Sequence, residues 1–361
     1  MIRDQKEVKM TSRERVTRAL KHEIADRVAI QDSPWGTTIA RWRREGLPQN
    51  VSPADFFNYE FERIGADLSF RFPEEVLEET DEYRIHRDSN GRTLKNWKNS
   101  TSTPMLIDYT IKTQEDWEQH KHRLTPDRGR IDWNGMEQTY NRANEQGKFF
   151  CYSGGAGYQA STGKIRPDQM LELMITDPEW IKDIIDTGVG LTLGQFQMLI
   201  AEGYKFDGYW CSDDLGYRNG LMFSPRVFRD LVMPAHKRLC DFCHEHGILA
   251  ILHSCGNFNE VVPDLIEAGW DCLQPLEVKA GMDVIELKRK YGDKIALMGG
   301  IDVRVMADGT GEELEEEIGD KISIAKEYGG YIYHSDHSVP DNVSFPRYQR
   351  VIELVHQYGC Y

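Results

Sequence analysis

Gly247-Ile-Leu-Ala-Ile-Leu-His-Ser-Cys-Gly-Asn-Phe-Asn-Glu-Val-Val-Pro-Asp-Leu-Ile-Glu-Ala-Gly-Trp-Asp-Cys-Leu-Gln-Pro-Leu276 is the stretch from which the fold is read. An apolar run over 247–252 ends in polar residues, a helical pattern follows over 258–268, and a second apolar run covers 272–276. Two runs this far apart, with a helix between them, predict parallel strands joined by a crossover helix. Working outward, similar runs occur at 28–31, 66–70, 149–152, 208–211, 295–298 and 331–333, which makes eight. Further helical patterns lie at 225–246, 283–291, 312–328 and 345–358. Eight such units predict an α/β fold, a closed (β/α)8 or TIM barrel, over one domain spanning 1–361.

One segment departs from this alternation. Tyr83-Arg-Ile-His-Arg-Asp-Ser-Asn-Gly-Arg-Thr-Leu-Lys-Asn-Trp97 carries an Asn90-Gly91 turn between two alternating arms, a strong hairpin signal. Residues 80–146 are therefore expected to form an insertion after the second strand, antiparallel to about 112 and helical beyond, covering one mouth of the barrel.

Composition narrows the function. Of 361 residues, 59 are acidic and 44 basic, a net charge of −15 that excludes the basic footprint of a nucleic-acid binder or an anionic-membrane binder. No apolar run approaches the ~20 residues of a bilayer span, and the charged N-terminus Met1-Ile-Arg-Asp-Gln-Lys-Glu-Val-Lys-Met10 lacks a signal-peptide core. Seven scattered cysteines read as reduced thiols in a cytoplasmic protein.

In a (β/α)8 barrel the loops after the strands build the site. Those loops here begin with Asp32-Ser33-Pro34-Trp35, Gly154-Gly155, Asp213-Asp214, His253-Ser254-Cys255, Glu277, Gly299-Gly300-Ile301-Asp302 and His334-Ser335-Asp336-His337. His253 and Cys255, two residues apart at a strand end, point the same way, and a nitrogen with a soft sulfur suits zinc. A third ligand has to come from another strand end, with Glu277 and His337 the best-placed donors and Asp336 competing with His337. The bland alternative is a buried cysteine beside a hydrogen-bonded histidine, which H-x-C spacing alone favours. Asp213 and Asp214 suit a general acid, a base or a substrate anchor, or equally a helix cap. Asp302 suits substrate binding or a cap, and Asp32 stands where substrate would be met. Cys240-Asp-Phe-Cys243-His244-Glu-His246 looks like a metal motif, but it lies within a helix on the outer ring and is read as packing.

The chain resembles the uroporphyrinogen decarboxylase superfamily in Thr11-Ser-Arg-Glu-Arg-Val-Thr-Arg-Ala-Leu20, Asp213-Asp-Leu-Gly216, Leu221-Met-Phe-Ser-Pro225, His253-Ser-Cys-Gly256, Met298-Gly-Gly-Ile-Asp302 and His334-Ser-Asp-His-Ser-Val-Pro340. The resemblance implies a (β/α)8 barrel. True decarboxylases of this superfamily use an arginine pair in a segment that here reads Gln31-Asp-Ser-Pro-Trp-Gly-Thr-Thr38, without arginine. The other branch, zinc-dependent methyltransferases that work with corrinoid proteins, has His-x-Cys, a late cysteine and sometimes a glutamate. His253, Cys255 and Glu277 match that layout, whereas Asp336 and His337 stand where the last cysteine would be.

The resemblance thus implies a zinc site of His253, Cys255, Glu277 and His337, with Asp213, Asp214 and Asp336 as catalytic candidates. Asp32, Trp35, Tyr158, Trp210 and Asp302 are the candidate substrate contacts. It further implies a small methyl donor of ether or amine type and a corrinoid (cobalamin) on a separate carrier protein, and it leaves room for a homodimer. The harder ligand set favours an oxygen-bearing ligand over a thiol. A metal-independent decarboxylase is the alternative, and a non-catalytic binding barrel stands third.

Overall fold

The computed structural model describes residues 10–99, 103–155 and 157–361. Eight parallel strands form one sheet: β1 (Ala29–Ile30), β2 (Phe61–Gly65), β3 (Phe149–Gly155), β4 (Gly208–Ser212), β5 (Leu249–His253), β6 (Cys272–Gln274), β7 (Ala296–Met298) and β8 (Tyr331–Tyr333). Their spatial order is β1-β8-β7-β6-β5-β4-β3-β2. The Glu60 amide donates to the Ile30 carbonyl at 3.0 Å, so the two ends of the sheet meet and the cylinder closes. The expected barrel is present.

The second strand lies at 61–65, not at the expected 66–70. Phe61-Glu-Arg-Ile-Gly65 alternates between the barrel interior and its wall, and its charged residues broke the apolar run that marks the other strands. Residues 66–70 form a loop instead, in which the Asp67 carboxylate accepts from the Ser69 amide at 2.9 Å. Phe70 is apolar because it packs edge-on against Trp117, with ring centroids 6.0 Å apart.

Between β2 and β3 a four-stranded antiparallel sheet runs through Glu75–Glu79, Tyr83–Arg87, Arg92–Trp97 and Met105–Tyr109 in sequential order. It begins before residue 80 and holds two more strands than a hairpin. Its central turn closes where the Gly91 amide donates to the Asp88 carbonyl at 2.8 Å. Helices Gln114–His120 and Trp133–Glu145 return the chain to β3.

Strand pairing sets which side chains share the interior. Phe61 pairs with Phe149, Trp210 with Ile251, Ile251 with Cys272, and Cys272 with Ala296. These residues, with Cys151, Met298, Ile332 and Ala29, form one buried apolar cluster. The helix Ser12–Leu20, started by a reciprocal Thr11–Glu14 capping box, adds Val16, Ala19 and Leu20 to the same cluster and plugs the N-terminal end. Arg15 on that helix is buried and bonds Glu60 at 2.9 Å and Asp26 at 2.6 Å, which ties the plug to the start of β2. One step up each strand the inward residues turn polar, with Arg63, Ser212, His253, Gln274 and His334 lining the C-terminal mouth.

One helix among the described residues, Pro178–Ala201, is long and apolar enough to span a bilayer by length and composition, which amends the expectation that no stretch approaches that size. It packs Trp180, Ile181, Ile184, Ile185 and Phe196 into the protein core.

Gly256 follows Cys255 with φ +78°, and a Cβ there would lie 2.2 Å from the Gly216 carbonyl carbon. Gly256→Ala is expected to lower the unfolding free energy by more than about 2 kcal/mol. Gly36→Ala, where nothing lies within 4 Å, should stay within about 0.5 kcal/mol of wild type. Urea unfolding of the two variants checks this.

Candidate metal centre and substrate cavity

The site is best built from its most buried member. The His334 Nδ1–H donates to the Ser335 carbonyl at 2.6 Å, and burial lowers the pKa of this imidazole, so the ring is neutral. Its Nε2 is then a lone pair, and it accepts from the Gln274 amide nitrogen at 3.2 Å. That contact fixes the orientation of Gln274, whose oxygen accepts from His253 Nδ1–H at 2.5 Å. His253 is also held neutral, with burial the largest cause. The relay therefore leaves the His253 Nε2 lone pair facing outward.

Two further donors converge on that lone pair. Cys255 Sγ lies 3.6 Å from His253 Nε2, and Asp214 Oδ1 lies 3.5 Å from it. Asp214, His253 and Cys255 are the one group of three such residues among those described whose ligand atoms all lie within 4.8 Å of one another. Ligands of a single tetrahedral zinc ion stand roughly 3.3–3.8 Å apart. A lone pair facing a carboxylate is repulsive unless a proton or cation lies between them, so the donor chemistry fits a divalent ion. Asp214 is itself held in place, since its Oδ2 accepts from Gln159 Nε2 at 2.5 Å and its Oδ1 from the Cys255 amide at 2.9 Å. Burial pushes the Cys255 thiol well above its ordinary range, with Asp214 and Glu277 adding to the shift.

The expected third ligands lie outside this group. Glu277 accepts from the Gly256 amide at 2.7 Å and pairs with Lys279 at 2.9 Å, so both oxygens are engaged. His337 lines the same cavity as His253, with its ring 6.0 Å edge-on from Trp35. Asp336 turns the other way and accepts from the amides of Val278 and Val303, each at 3.0 Å. Burial raises its pKa to about 6. Sequence alone left open which of Asp336 and His337 faces inward; here it is His337.

Several candidates are occupied elsewhere. Asp213 is fully buried, accepts from the amides of Tyr158 and Gln159 at 3.3 and 2.6 Å, and bonds His236 Nε2 at 2.7 Å. It caps the helix Gly157–Thr162 across the barrel rim, with both oxygens engaged. Asp32 accepts from Ser335 at 2.6 Å, Tyr348 at 2.9 Å and Tyr333 at 3.2 Å. The Ser33 amide, at 2.9 Å, is a fourth donor to it, so its lone pairs are filled. Asp302 caps the helix Val303–Asp308 and pairs with Arg304 at 2.6 Å. Tyr158 packs in the core, its ring centroid 5.1 Å from that of Phe223. Trp210 does line the cavity, beneath Arg63. The outer-helix motif is packing: Cys240 and Cys243 are buried, and His244 bonds Asp271 at 2.9 Å.

Sequence reading missed Gln274, His334 and Arg63 as site residues. Each stands two positions beyond an apolar inward residue (Cys272, Ile332 and Phe61), and that parity is the signal that would have found them. The cavity they share is about 390 Å³. A larger cleft of about 810 Å³, lined by His22, Lys288 and Tyr328 among others, shares no residue with it.

Fold and donor cluster together define a (β/α)8 barrel whose C-terminal mouth presents nitrogen, sulfur and oxygen to one point. The chain belongs to the uroporphyrinogen decarboxylase (URO-D) family, whose sequence model matches residues 159–358. It is 23% identical over 199 residues to a methylated-thiol–coenzyme M methyltransferase of Methanosarcina mazei, a match covering 51% of this chain and 50% of that protein. The chain thus spans about half the length of that curated relative. A solved methyltransferase structure from Methanosarcina mazei shares the fold with a TM-score of 0.68 at 14% identity, covering 97% of this chain and 99% of that one.

Asp32→Ala strands the buried Tyr333 hydroxyl and removes one partner each from Tyr348 and Ser335, which keep contacts with the Tyr59 hydroxyl and the His337 carbonyl, and is expected to cost about 2–4 kcal/mol. Thermal unfolding of the purified variant would show the lowered midpoint.

Proposed function

We propose that this chain is a zinc-dependent methyltransferase that moves a methyl group between a small methylated donor, of ether or amine type, and a corrinoid carried by a separate protein. The observation that supports this reading is the convergence of His253 Nε2, Cys255 Sγ and Asp214 Oδ1. In this reading Asp214 takes the third ligand position, with Glu277 and His337 close by but outside the donor set. When bound, zinc supplies Lewis acidity toward the heteroatom that gives up or receives the methyl.

The chain's own residues prepare that position. Gln274 and His334 hold His253 in the tautomer that presents Nε2, and such outer partners typically govern metal affinity. Cys255 contributes one sulfur where a second soft ligand is replaced by the Asp214 oxygen, a harder set that favours an oxygen heteroatom and hence O-demethylation. Trp210 offers an apolar floor to the cavity. The four-stranded sheet before β3 flanks the mouth in this reading, joined to its rim where the Tyr109 hydroxyl donates to the Thr162 carbonyl at 2.8 Å. Relatives that are methyltransferases support the same class.

Metal analysis of the purified protein is expected to give about one zinc per chain, lost on His253→Ala or Cys255→Ala and strongly weakened by Asp214→Ala. Glu277→Gln should retain it, and Gln274→Leu should weaken affinity about 10–100-fold. A protein that binds no zinc yet releases carbon dioxide from a carboxylated substrate would replace this reading with decarboxylation. Methyl transfer itself is followed by the absorbance of added cob(I)alamin.

The pH dependence has a definite sign. Burial holds the Cys255 thiol protonated and His253 neutral near pH 7, so zinc uptake expels one proton, from the thiol. Zinc affinity should rise about tenfold per pH unit between about pH 6 and 8, and Cys255→Ala should flatten that slope. Competition against a chromophoric chelator measures both.

A further inference from the structure

We infer that the methyl donor carries an anionic group, a carboxylate or a sulfonate, and that Arg63 binds it. This rests on the methyl-transfer reading above and narrows its substrate. Arg63 projects from β2 into the mouth and lies over the Trp210 ring, 4.3 Å from its centroid. Among the described residues its guanidinium has no carboxylate within ion-pair distance and stacks on Trp210 instead. The ionisable group that favours its charge is the Cys151 thiol, which burial keeps neutral. Water reaches the guanidinium through the cavity, while the surrounding wall desolvates it enough to lower its pKa. Arg15 and Arg130, the two buried arginines among the described residues, instead spend their donors on carboxylates or carbonyls.

The cavity carries the same message. Arg63, Trp210, Ser33, His253, Cys255 and His337 are among its lining residues, and no aspartate or glutamate is. In a chain of net charge −15, this cavity wall carries a guanidinium and no carboxylate, and the Asp214 carboxylate at the same mouth is directed at His253 and Gln159. A guanidinium presents several N–H donors in a rigid planar fork that matches a carboxylate or sulfonate. Seated there, such a group places the rest of a small molecule across the cavity toward His253 and Cys255, with Trp210 beneath it. A cationic methylamine is disfavoured in the same place by like charge.

Three small methyl ethers test this by titration calorimetry on the protein as purified: methoxyacetate, its neutral isostere methoxyacetamide, and the longer 2-methoxyethanesulfonate. At least one anion should bind tenfold or more tightly than the amide, and the tighter of the two anions identifies the headgroup. Arg63→Met, which keeps the stem over Trp210, should erase that preference, weakening the anion about a hundredfold while zinc content stays at the wild-type level. Arg63→Gln serves as a second variant, and rising salt should erode the preference in wild type whether or not either variant folds. Equal affinity for the three probes, no uptake of either anion, or a preference that survives both substitutions overturns the inference. Zinc analysis of the same preparations separates the two failures. Zinc held without anion preference sinks this inference alone, and anion preference without zinc sinks the methyltransferase reading and leaves Arg63 as an anion site only.

Discussion

The side-chain period of two along a strand governs this molecule. Eight parallel strands closed on themselves give each strand one inward face, and neighbouring strands in register share it. Along β5 the inward residues are Leu249, Ile251 and His253; along β6, Cys272 and Gln274; along β2, Phe61, Arg63 and Gly65. The interior is therefore apolar at the plugged end and polar at the open one. On β5 and β6 the change falls on the register partners His253 and Gln274, and Arg63 of β2 lines the same cavity, so the hydrophobic packing that closes the cylinder also delivers the polar groups to one mouth.

Once gathered, those groups are ordered by hydrogen bonds of fixed polarity. The chain from the Ser335 carbonyl through His334 and Gln274 to His253 reads in one direction only, because the first link forces the proton onto His334 Nδ1. Every later link inherits that choice. A neutral imidazole, a protonated thiol and a carboxylate then face one another, with the thiol proton the one donor available to two acceptors.

The aspartates of the rim divide by how their lone pairs are spent. Asp32, Asp213, Asp302 and Asp336 fasten loops and helix starts with both oxygens, mainly through backbone amides and buried hydroxyls. Such carboxylates hold the crossover loops in place, which a mouth built from long connections requires. Asp214 keeps an oxygen directed at His253, and that separates it from its neighbour Asp213. Identity as an acidic residue at a strand end was common to all five.

The sequence alone determined the barrel, seven of its eight strand positions, the antiparallel insertion's central turn, and the His253–Cys255 pair. These follow from local rules: apolar runs bounded by turns, a crossover length, an Asn-Gly turn, and the shared direction of residues two apart. Tertiary structure alone decided that β2 lies at 61–65, that Asp214 joins the pair while Glu277 is engaged with Gly256 and Lys279, and that His337 faces inward and Asp336 outward. It alone also showed Arg63 without an acidic partner. Which lone pair is spent and which is left over depends on residues far apart in the chain, and no local pattern encodes a partner that folding brings from another strand.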